Sequence, residues 1–316
     1  MRAIVFPGQG SQKIGMGKSL YDSFPAAKET FQEVDDALGL KLSALMFGGS
    51  EEDLKLTQNA QPALMAVSMA VVNVLTKDMG IDLKGKCQFI AGHSLGEYSA
   101  YCAGGSFTLS QTAKLLLTRG LAMQQAVPQG VGGMAALLGA ELPQAEELVT
   151  KASDGQNSLC EVANDNAPGQ IVISGHLSAL ERATTLAQEM GIKRVIPLPV
   201  SAPFHCSLMQ GAADKMSQAL GDNPPLGMPS IQLLPNTLAN LLTTPDDITP
   251  QLIAQVTGRV RWRETVLKLA ELGVNEIIEL GSGKVLSGLT KRIGGEINSL
   301  SAETPEELDL LAKHLS

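Results

Sequence analysis

A serine flanked by glycines has the residue type and spacing for nucleophilic chemistry. Residues 89–91 are an apolar run typical of a short buried strand, the turn Gly92-His-Ser94-Leu-Gly96 follows at once, and residues 97–103 favour a helix. Strand, sharp turn and helix in this order are typical of a nucleophile elbow, which lifts the serine hydroxyl off the backbone. We therefore predict that Ser94 is a nucleophile and that the N–H of Leu95 faces the oxygen of an attacked carbonyl. The alternative is an ordinary glycine–serine turn.

His205 is the leading candidate for the base that such a serine needs. It lies in a proline-rich loop, Pro199-Val-Ser-Ala-Pro-Phe204-His205, directly before a predicted helix. A lone loop histidine is more often structural than catalytic, but a serine nucleophile is activated by an adjacent base. The chain has four histidines, and none shows the spacing of metal ligands, so the sequence predicts no metal site.

Arg119 lies in a helix that is otherwise strongly apolar. The capping-box sequence Thr108-Leu-Ser-Gln111 opens this helix, which is predicted to run to about Ala126. Arg119 either reaches solvent along its apolar stem, or is held inside, where its forked guanidinium binds a planar anion such as a carboxylate. The position alone favours the first, which is the usual case for an arginine on an apolar helix, but leaves the second open.

A glycine-rich loop follows the first predicted strand, residues 3–6. Its sequence, Pro7-Gly8-Gln9-Gly10-Ser11-Gln12, allows close backbone approach. A dinucleotide fingerprint would need glycine at position 13, where Lys13 stands, so a phosphate cradle is disfavoured. The alternative is a loop that presents the N–H of Gln9 to an oxyanion.

The elements that must position these residues predict an α/β fold with an insertion. Between residues 132 and 198 the pattern is β-α-β-β-α-β, with a turn at residues 164–169, which is the split βαβ order of a ferredoxin-like unit. Glycines precede this stretch and prolines follow it. We therefore predict a core built from residues 1–128 and 199–316, and a small subdomain at residues 129–198.

Composition and charge exclude several classes of function. Apolar residues make up 44% of the 316 residues, which suits a large folded core rather than disorder. The net charge of −8 argues against nucleic-acid binding, and the most apolar segment, residues 62–75, is too short to span a bilayer. The cysteines form no C-x-x-C pair and the first residues are unlike a signal peptide. We expect a cytoplasmic monomer with reduced thiols and no membrane contact.

Several short motifs occur together and in order along the chain. They are Phe6-Pro-Gly-Gln-Gly-Ser-Gln12, Gln61-Pro-Ala63, Gly92-His-Ser-Leu-Gly-Glu97, Arg119-Gly120, Phe204-His205 and Gly281-x-Gly283-x-x-x-x-Gly288-Leu289. From the first strand to about Ile293, the sequence resembles the malonyl-CoA:acyl carrier protein transacylases of bacterial fatty acid synthesis. The resemblance implies an α/β-hydrolase-like parallel-sheet core with an inserted ferredoxin-like subdomain.

The resemblance also implies a reaction. Members of this family move a malonyl group from malonyl-CoA to the phosphopantetheine thiol of acyl carrier protein, through a malonyl-serine and without a cofactor. Carried over by position, the resemblance implies that Ser94 is the nucleophile, that His205 is its general base, and that the backbone N–H groups of Gln9 and Leu95 form the oxyanion hole. It also implies that Arg119 binds the malonyl carboxylate and that Phe204 selects malonyl over methylmalonyl. Asn164 would lie near the active-site entrance.

The sequence departs from the family pattern at one place. Where close bacterial enzymes carry glutamine in a Pro-Val-Gln-Trp stretch, this chain has Arg259-Val-Arg261-Trp262. The family uses a backbone carbonyl from this region to orient the histidine. Because a backbone carbonyl survives side-chain substitution, the serine–histidine dyad is still expected.

Docking of two anionic partners on an acidic protein needs a local basic surface. The candidates are Lys284, Lys291, Arg292, Arg259, Arg261 and Arg263. The alternative is that these are ordinary solvated charges.

Three other functions remain open at this stage. One is a malonyl- or acyltransferase of a polyketide-type pathway. The second is a serine esterase that uses the same elbow with an acidic third member. The third is a non-catalytic interaction protein of the same fold.

Overall fold

A computed structural model describes residues 1–155, 158–200 and 202–316. Its strands are β1 (Arg2–Phe6), β2 (Phe89–Gly92), β3 (Gly132–Leu138), β4 (Cys160–Ala167), β5 (Gln170–His176), β6 (Arg194–Pro197), β7 (Gln232–Leu233), β8 (Glu276–Leu280) and β9 (Asn298–Ala302). Its helices are α1 (Lys18–Ser23), α2 (Pro25–Leu38), α3 (Leu42–Gly48), α4 (Glu51–Lys55), α5 (Thr57–Asn73), α6 (Leu83–Lys86), α7 (Leu95–Ala103), α8 (Leu109–Gln125), α9 (Leu142–Ala152), α10 (Leu177–Glu189), α11 (Gln210–Asp222), α12 (Ile248–Thr257), α13 (Trp262–Glu271), α14 (Val285–Ile293) and α15 (Pro305–Leu315). A π-helical turn, Val74–Asp78, extends α5, and 3-10 turns lie at Ser207–Met209 and Pro245–Asp247.

The described strands form two sheets. Sheet A has the order β7-β2-β1-β8-β9, and its neighbouring strands pair in parallel. Alternate residues of β1 enter two core clusters, Ile4 and Phe6 on one face, Ala3 and Val5 on the other. This explains the unbroken apolar sequence, because a parallel sheet is covered on both faces. Parallel strands end at one edge of the sheet, so the loops after β1 and β2 lie side by side there.

Sheet B is small and antiparallel. Its order is β4-β5-β3-β6, and α9 and α10 supply the apolar residues that bury one face of it. The connection β-α-β-β-α-β is the predicted ferredoxin-like order. The predicted fold class, a parallel α/β core with a small antiparallel subdomain, is therefore confirmed, while the exact domain limits at 128/129 and 198/199 stay predictions. Ser201 of the predicted 199–205 loop lies outside the described residues.

The central helix α5 lies where the sequence predicts a buried helix, at residues 58–78. With its π-helical turn it spans 22 residues, which by length and composition could cross a membrane, but 83% of its most apolar window is buried inside the fold. Such burial is what the core helix of a folded protein shows. The sequence predicts that Asn59 caps this helix, but α5 begins at Thr57, and the Asn59 side chain donates to the backbone oxygen of Asp53 at 2.9 Å.

The predicted turn at residues 164–169 is wrong for most of its length. β4 continues to Ala167, and only the next two residues turn the chain. Backbone hydrogen bonds on both sides hold this strand: Asn164 pairs with β5, and the Asp165 N–H donates to the carbonyl of Val260 at 2.9 Å. A local Asn-Asp-Asn sequence favours a turn, but tertiary pairing overrides that preference.

Candidate active site

Ser94 sits on a sharp turn between β2 and α7. Its φ of 53° and ψ of −112° are strained for a residue with a side chain. A Cβ at Gly92 would lie 2.0 Å from the carbonyl of Gly96, and a Cβ at Gly96 would lie 2.3 Å from the carbonyl oxygen of Phe6. Both glycines are therefore required by backbone contacts. Because α7 begins at Leu95, the N–H of Leu95 has no acceptor within the helix and is available to a ligand.

His205 meets Ser94 from the other half of the core. Its Nε2 lies 2.8 Å from Ser94 Oγ, although the two residues are 111 positions apart. Its Nδ1 lies 2.9 Å from the carbonyl oxygen of Gln255 and 3.2 Å from that of Gly258. Carbonyl oxygens only accept, so the proton sits on Nδ1 and Nε2 is free to accept the serine proton. The carbonyls that orient His205 thus come from the C-terminal end of α12, just before Arg259.

The imidazole of His205 is held in its neutral form. Burial, followed by the nearby charge of Arg119, lowers its pKa to about 3. The side chain is only 4% exposed. A base that stays unprotonated at neutral pH is ready to take a proton from Ser94.

Arg119 lies inside the protein, which decides between the two alternatives left open by the sequence. It is 1% exposed and stands 5.6 Å from the ring centre of Tyr98. Nη1 donates to Gln61 Oε1 at 2.8 Å, and Nη2 donates to Gln255 Oε1 at 2.8 Å and to Ser94 Oγ at 3.2 Å. A buried cation thus stands at the nucleophile.

Asn236 holds both ends of the elbow. Its Oδ1 accepts from the N–H of Ser94 at 2.7 Å, and its Nδ2 donates to the carbonyl of Gly92 at 2.6 Å. Its own N–H donates to Glu97 Oε2 at 2.8 Å. The strained turn is therefore tied to the loop after β7.

Glu97 is fully buried behind the nucleophile. Its Oε2 accepts from the Asn236 N–H and from Gln255 Nε2 at 2.9 Å. Burial raises its pKa to about 7, opposed by these hydrogen bonds and by the charge of Arg119. Sequence reasoning missed the roles of Glu97, Asn236 and Gln255. The available signal was a charged residue in the otherwise apolar start of α7.

The loop after β1 packs directly against the elbow. A Cβ at Gly8 would lie 2.8 Å from the carbonyl oxygen of His93 and 3.0 Å from its Nδ1, so Gln9 is placed beside the nucleophile turn. The His93 ring is held by Asn166 Oδ1, 2.8 Å from Nε2, and stands 5.7 Å from the ring of Trp262. The oxyanion role of Gln9 remains a prediction that this placement supports.

Two predicted site residues are less directly placed. Phe204 is 6% exposed and adjoins His205 in the chain. Asn164 is also 6% exposed, but the side chain of this strand that contacts the elbow is that of Asn166. The roles of Phe204 and Asn164 stay predictions.

A cleft of about 680 Å³ leads away from the loop after β1. It is lined by Gln9, Leu56, Met134, Leu198 and Val200, among others, and runs between the start of α5 and sheet B. It is large enough for an extended, slender substrate arm.

Transfer of an acyl group through a serine ester needs a serine beside a base, and this fold provides both. Residues 3–285 match the family described as the acyl transferase domain, so the chain is an acyl transferase. A curated relative, the malonyl CoA-acyl carrier protein transacylase of Bacillus subtilis (strain 168), is 44% identical over 313 residues, which is 99% of this chain and 96% of the relative. The chain belongs to the family of malonyl CoA-acyl carrier protein transacylases.

Solved structures agree with this assignment. The crystal structure of an acyl-carrier-protein S-malonyltransferase from Bartonella henselae matches with a TM-score of 0.95 and 50% identity, covering 99% of both chains. A malonyl-transacylase in complex with a type II PKS acyl-carrier protein matches with a TM-score of 0.94 and 38% identity, again covering 99% of both chains.

Proposed function

We propose that this chain moves a malonyl group from malonyl-CoA to the phosphopantetheine thiol of acyl carrier protein, supplying fatty acid synthesis. One observation carries the proposal: Ser94 Oγ lies 2.8 Å from His205 Nε2 and 3.2 Å from Arg119 Nη2. A nucleophile, its base and a buried cation therefore meet at one atom. The names of the relatives supply the substrates, malonyl CoA and acyl carrier protein.

The first half-reaction forms an ester on Ser94. His205 Nε2 takes the hydroxyl proton while Oγ attacks the thioester carbonyl of malonyl-CoA. The oxyanion is bound by the N–H groups of Gln9 and Leu95, each of which contributes about 3 kcal/mol. The carbon–sulfur bond then breaks, and His205 returns the proton to the sulfur, so that CoA leaves as a thiol.

The second half-reaction transfers the malonyl group to the carrier. His205 takes the proton of the phosphopantetheine thiol, and the sulfur attacks the ester carbonyl of malonyl-Ser94. The carbon–oxygen bond breaks, and His205 returns the proton to Oγ. The steps use only groups of the chain and the two thiols, so the proposal includes no metal and no cofactor.

Arg119 supplies the selectivity for a carboxylated acyl group. Its guanidinium is buried and stands at Ser94 Oγ, where the free carboxylate of a malonyl group reaches it. A carboxylate gives the buried charge a bidentate partner, whereas an acetyl group leaves it without one. An acyl group without a carboxylate is therefore disfavoured.

An esterase is less well supported than a transferase. An esterase with a catalytic triad places a carboxylate on the distal histidine nitrogen. Here His205 Nδ1 faces the carbonyl oxygens of Gln255 and Gly258. A polyketide-type carrier protein remains the alternative acceptor, since one similar structure is a complex with such a carrier. The cytoplasmic location, the monomeric state and the absence of membrane contact stay part of the proposal.

The proposal is tested by labelling the protein with malonyl-CoA. Intact-mass analysis should show one malonyl adduct on Ser94, which acyl carrier protein discharges faster than water does. Ser94→Ala should abolish labelling. An unlabelled wild-type protein, or labelling that persists in the Ser94→Ala protein, contradicts the proposal.

Replacing Arg119 tests the selectivity. Arg119→Ala should lower malonyl transfer at least about 100-fold, because the substrate carboxylate is then buried without a partner. Acetyl-CoA should label the variant better than it labels the wild type. Arg119→Lys is the matched control: it keeps a charge but loses the fork, and should fall between the two. Unchanged malonyl kinetics in Arg119→Ala would remove Arg119 from the substrate site.

A further inference from the structure

Gln255 contacts three functional residues at once. Its backbone carbonyl orients His205, its Oε1 accepts from Arg119 Nη2, and its Nε2 donates to the carbonyl of Ser94 at 2.9 Å. The second hydrogen of Nε2 goes to Glu97 Oε2 at 2.9 Å. Both N–H groups of this amide and its oxygen are therefore hydrogen-bonded to the site or to Glu97.

The partners of the amide require one orientation. Arg119 only donates, so the amide oxygen must face it, and the Ser94 carbonyl only accepts, so the amide nitrogen must face it. Glu97 Oε2 is the second acceptor on the nitrogen side and is itself fixed by the N–H of Asn236. Glu97 thereby links the loop after β7 to the amide that holds Arg119.

We infer that Glu97 is a positioning residue for acyl selection: through its acceptor oxygen it holds the Gln255 amide, and Gln255 in turn holds the Arg119 guanidinium at the nucleophile. Glu97 touches neither substrate nor reacting atoms. The inference rests on the proposed function and deepens it, because it names Glu97, behind the site, as the residue that positions the guanidinium proposed to bind the malonyl carboxylate.

The role depends on an acceptor oxygen, not on charge. Both ionised and protonated carboxyl groups keep an oxygen that accepts, and so does the side-chain amide of glutamine. Glu97→Gln therefore preserves the contacts to Asn236 and Gln255, whereas Glu97→Leu removes them at a similar volume. Comparing the two variants therefore separates the effect of losing the hydrogen-bond acceptor from the effect of losing the charge.

The readout is the ratio of kcat/KM for malonyl-CoA to kcat/KM for acetyl-CoA, measured as acylation of Ser94. Only the malonyl group needs the guanidinium, so a general structural defect lowers both rates and leaves the ratio unchanged. Glu97→Leu should lower the ratio at least about tenfold, the scale of one lost hydrogen bond to a charged group. Glu97→Gln should stay within about threefold of wild type.

A double-mutant cycle with Gln255→Met tests whether Glu97 acts through Gln255. Gln255→Met alone should lower the ratio about as much as Glu97→Leu, and the double variant should lose little more. Additive effects of the two substitutions on the ratio overturn the inference. So does a Glu97→Gln protein whose ratio is as low as that of Glu97→Leu, and so does an unchanged ratio in a folded Glu97→Leu protein.

Folding is checked separately by circular dichroism and thermal melting. If Glu97→Leu does not fold, an unchanged ratio in the Gln255→Met protein still overturns the inference, because it shows that the amide does not hold Arg119. The wild-type protein distinguishes the two levels of the proposal. Wild type without malonyl transfer rejects the proposed function, whereas wild type with transfer and an additive cycle rejects only the role of Glu97.

Discussion

Ser94 and His205 each have a positive φ, 53° and 57°, which side chains rarely adopt. Strain of this kind persists only where surrounding contacts hold it. The side chain of Asn236 holds the first residue, and the carbonyls of Gln255 and Gly258 hold the ring of the second. At the residue scale, the dyad is therefore imposed by neighbours far away in the chain.

The depressed pKa of His205 predicts the pH dependence of acylation. Its folded-state pKa of about 3 lies below the ordinary histidine value of about 6.5. The base is thus already neutral, and kcat/KM for malonyl-CoA should stay flat from about pH 8 down to about pH 5. The unfolded chain binds the proton more readily, so His205 lowers the free energy of unfolding as pH falls below its ordinary value.

Rates of Ser94 labelling across this pH range check the prediction. Glu97, whose burial raises its pKa to about 7, is the other group behind the site that titrates there. The Glu97→Gln protein serves as control, because an inflection that disappears in it belongs to Glu97. An inflection near the ordinary histidine pKa that persists in the control contradicts a neutral, buried base.

At the element scale, α8 carries Arg119 to the site because it approaches α5 very closely. A Cβ at Gly120 would lie 2.5 Å from the Cα of Gln58 and 2.7 Å from the carbonyl oxygen of Thr57. Both are backbone atoms of α5 and cannot move aside as a flexible side chain does. Gly120 therefore allows α8 to pack close to α5, and this packing places the neighbouring Arg119 beside Ser94.

Gly120→Ala should destabilise the protein and displace Arg119. The expected loss in the free energy of unfolding is about 1–3 kcal/mol, as for overpacking of a filled core, and malonyl transfer should fall more than acetyl transfer. Chemical denaturation and the two transfer rates measure these effects. Gly211→Ala in α11 is the control, since a Cβ there meets nothing within 4 Å and alanine favours a helix. Equal stability of the two variants would contradict the close approach.

At the scale of the whole molecule, an acidic chain must present a local basic surface to an anionic carrier. Most candidate cations are already in ion pairs: Lys284 with Glu307, Arg259 with Glu146, Arg263 with Glu141, and Arg261 with Glu264. Lys291 and Arg292 are exposed at the end of α14, and Arg292 reaches the β4–β5 turn of sheet B. They remain the better candidates for carrier docking.

Reversal of Lys291 and Arg292 to glutamate should raise the KM for acyl carrier protein about tenfold and leave acylation by malonyl-CoA unchanged, because charge complementarity acts on encounter with the carrier. Steady-state kinetics with each substrate varied in turn measure this. The same reversal at Lys77 and Lys84, exposed at the amino ends of the parallel strands, is the matched control. Docking at α14 is contradicted if the reversal of Lys291 and Arg292 affects both substrates equally, or if the reversal of Lys77 and Lys84 raises the KM for acyl carrier protein as much.

The sequence by itself determined the local geometry of the elbow. Glycines on both sides of Ser94, an apolar strand before it and a helix after it are short-range signals that predict the sharp turn, because backbone sterics require glycine there. The β-α-β-β-α-β order of the subdomain was predictable for the same reason, since each element carries its own periodicity. The turn at residues 164–169 failed because pairing with Val260, far away in the chain, decided that strand.

Only the tertiary structure decided what stands around the serine. Arg119 could have faced solvent, and its position inside follows from the packing of α8 on α5 and from Gln61 and Gln255, residues of two other helices. Glu97 and Asn236 look like ordinary polar residues until the chain folds and brings them behind the nucleophile. Hydrogen-bond partners that lie more than a hundred residues apart leave no local pattern, because geometry, not spacing, selects them.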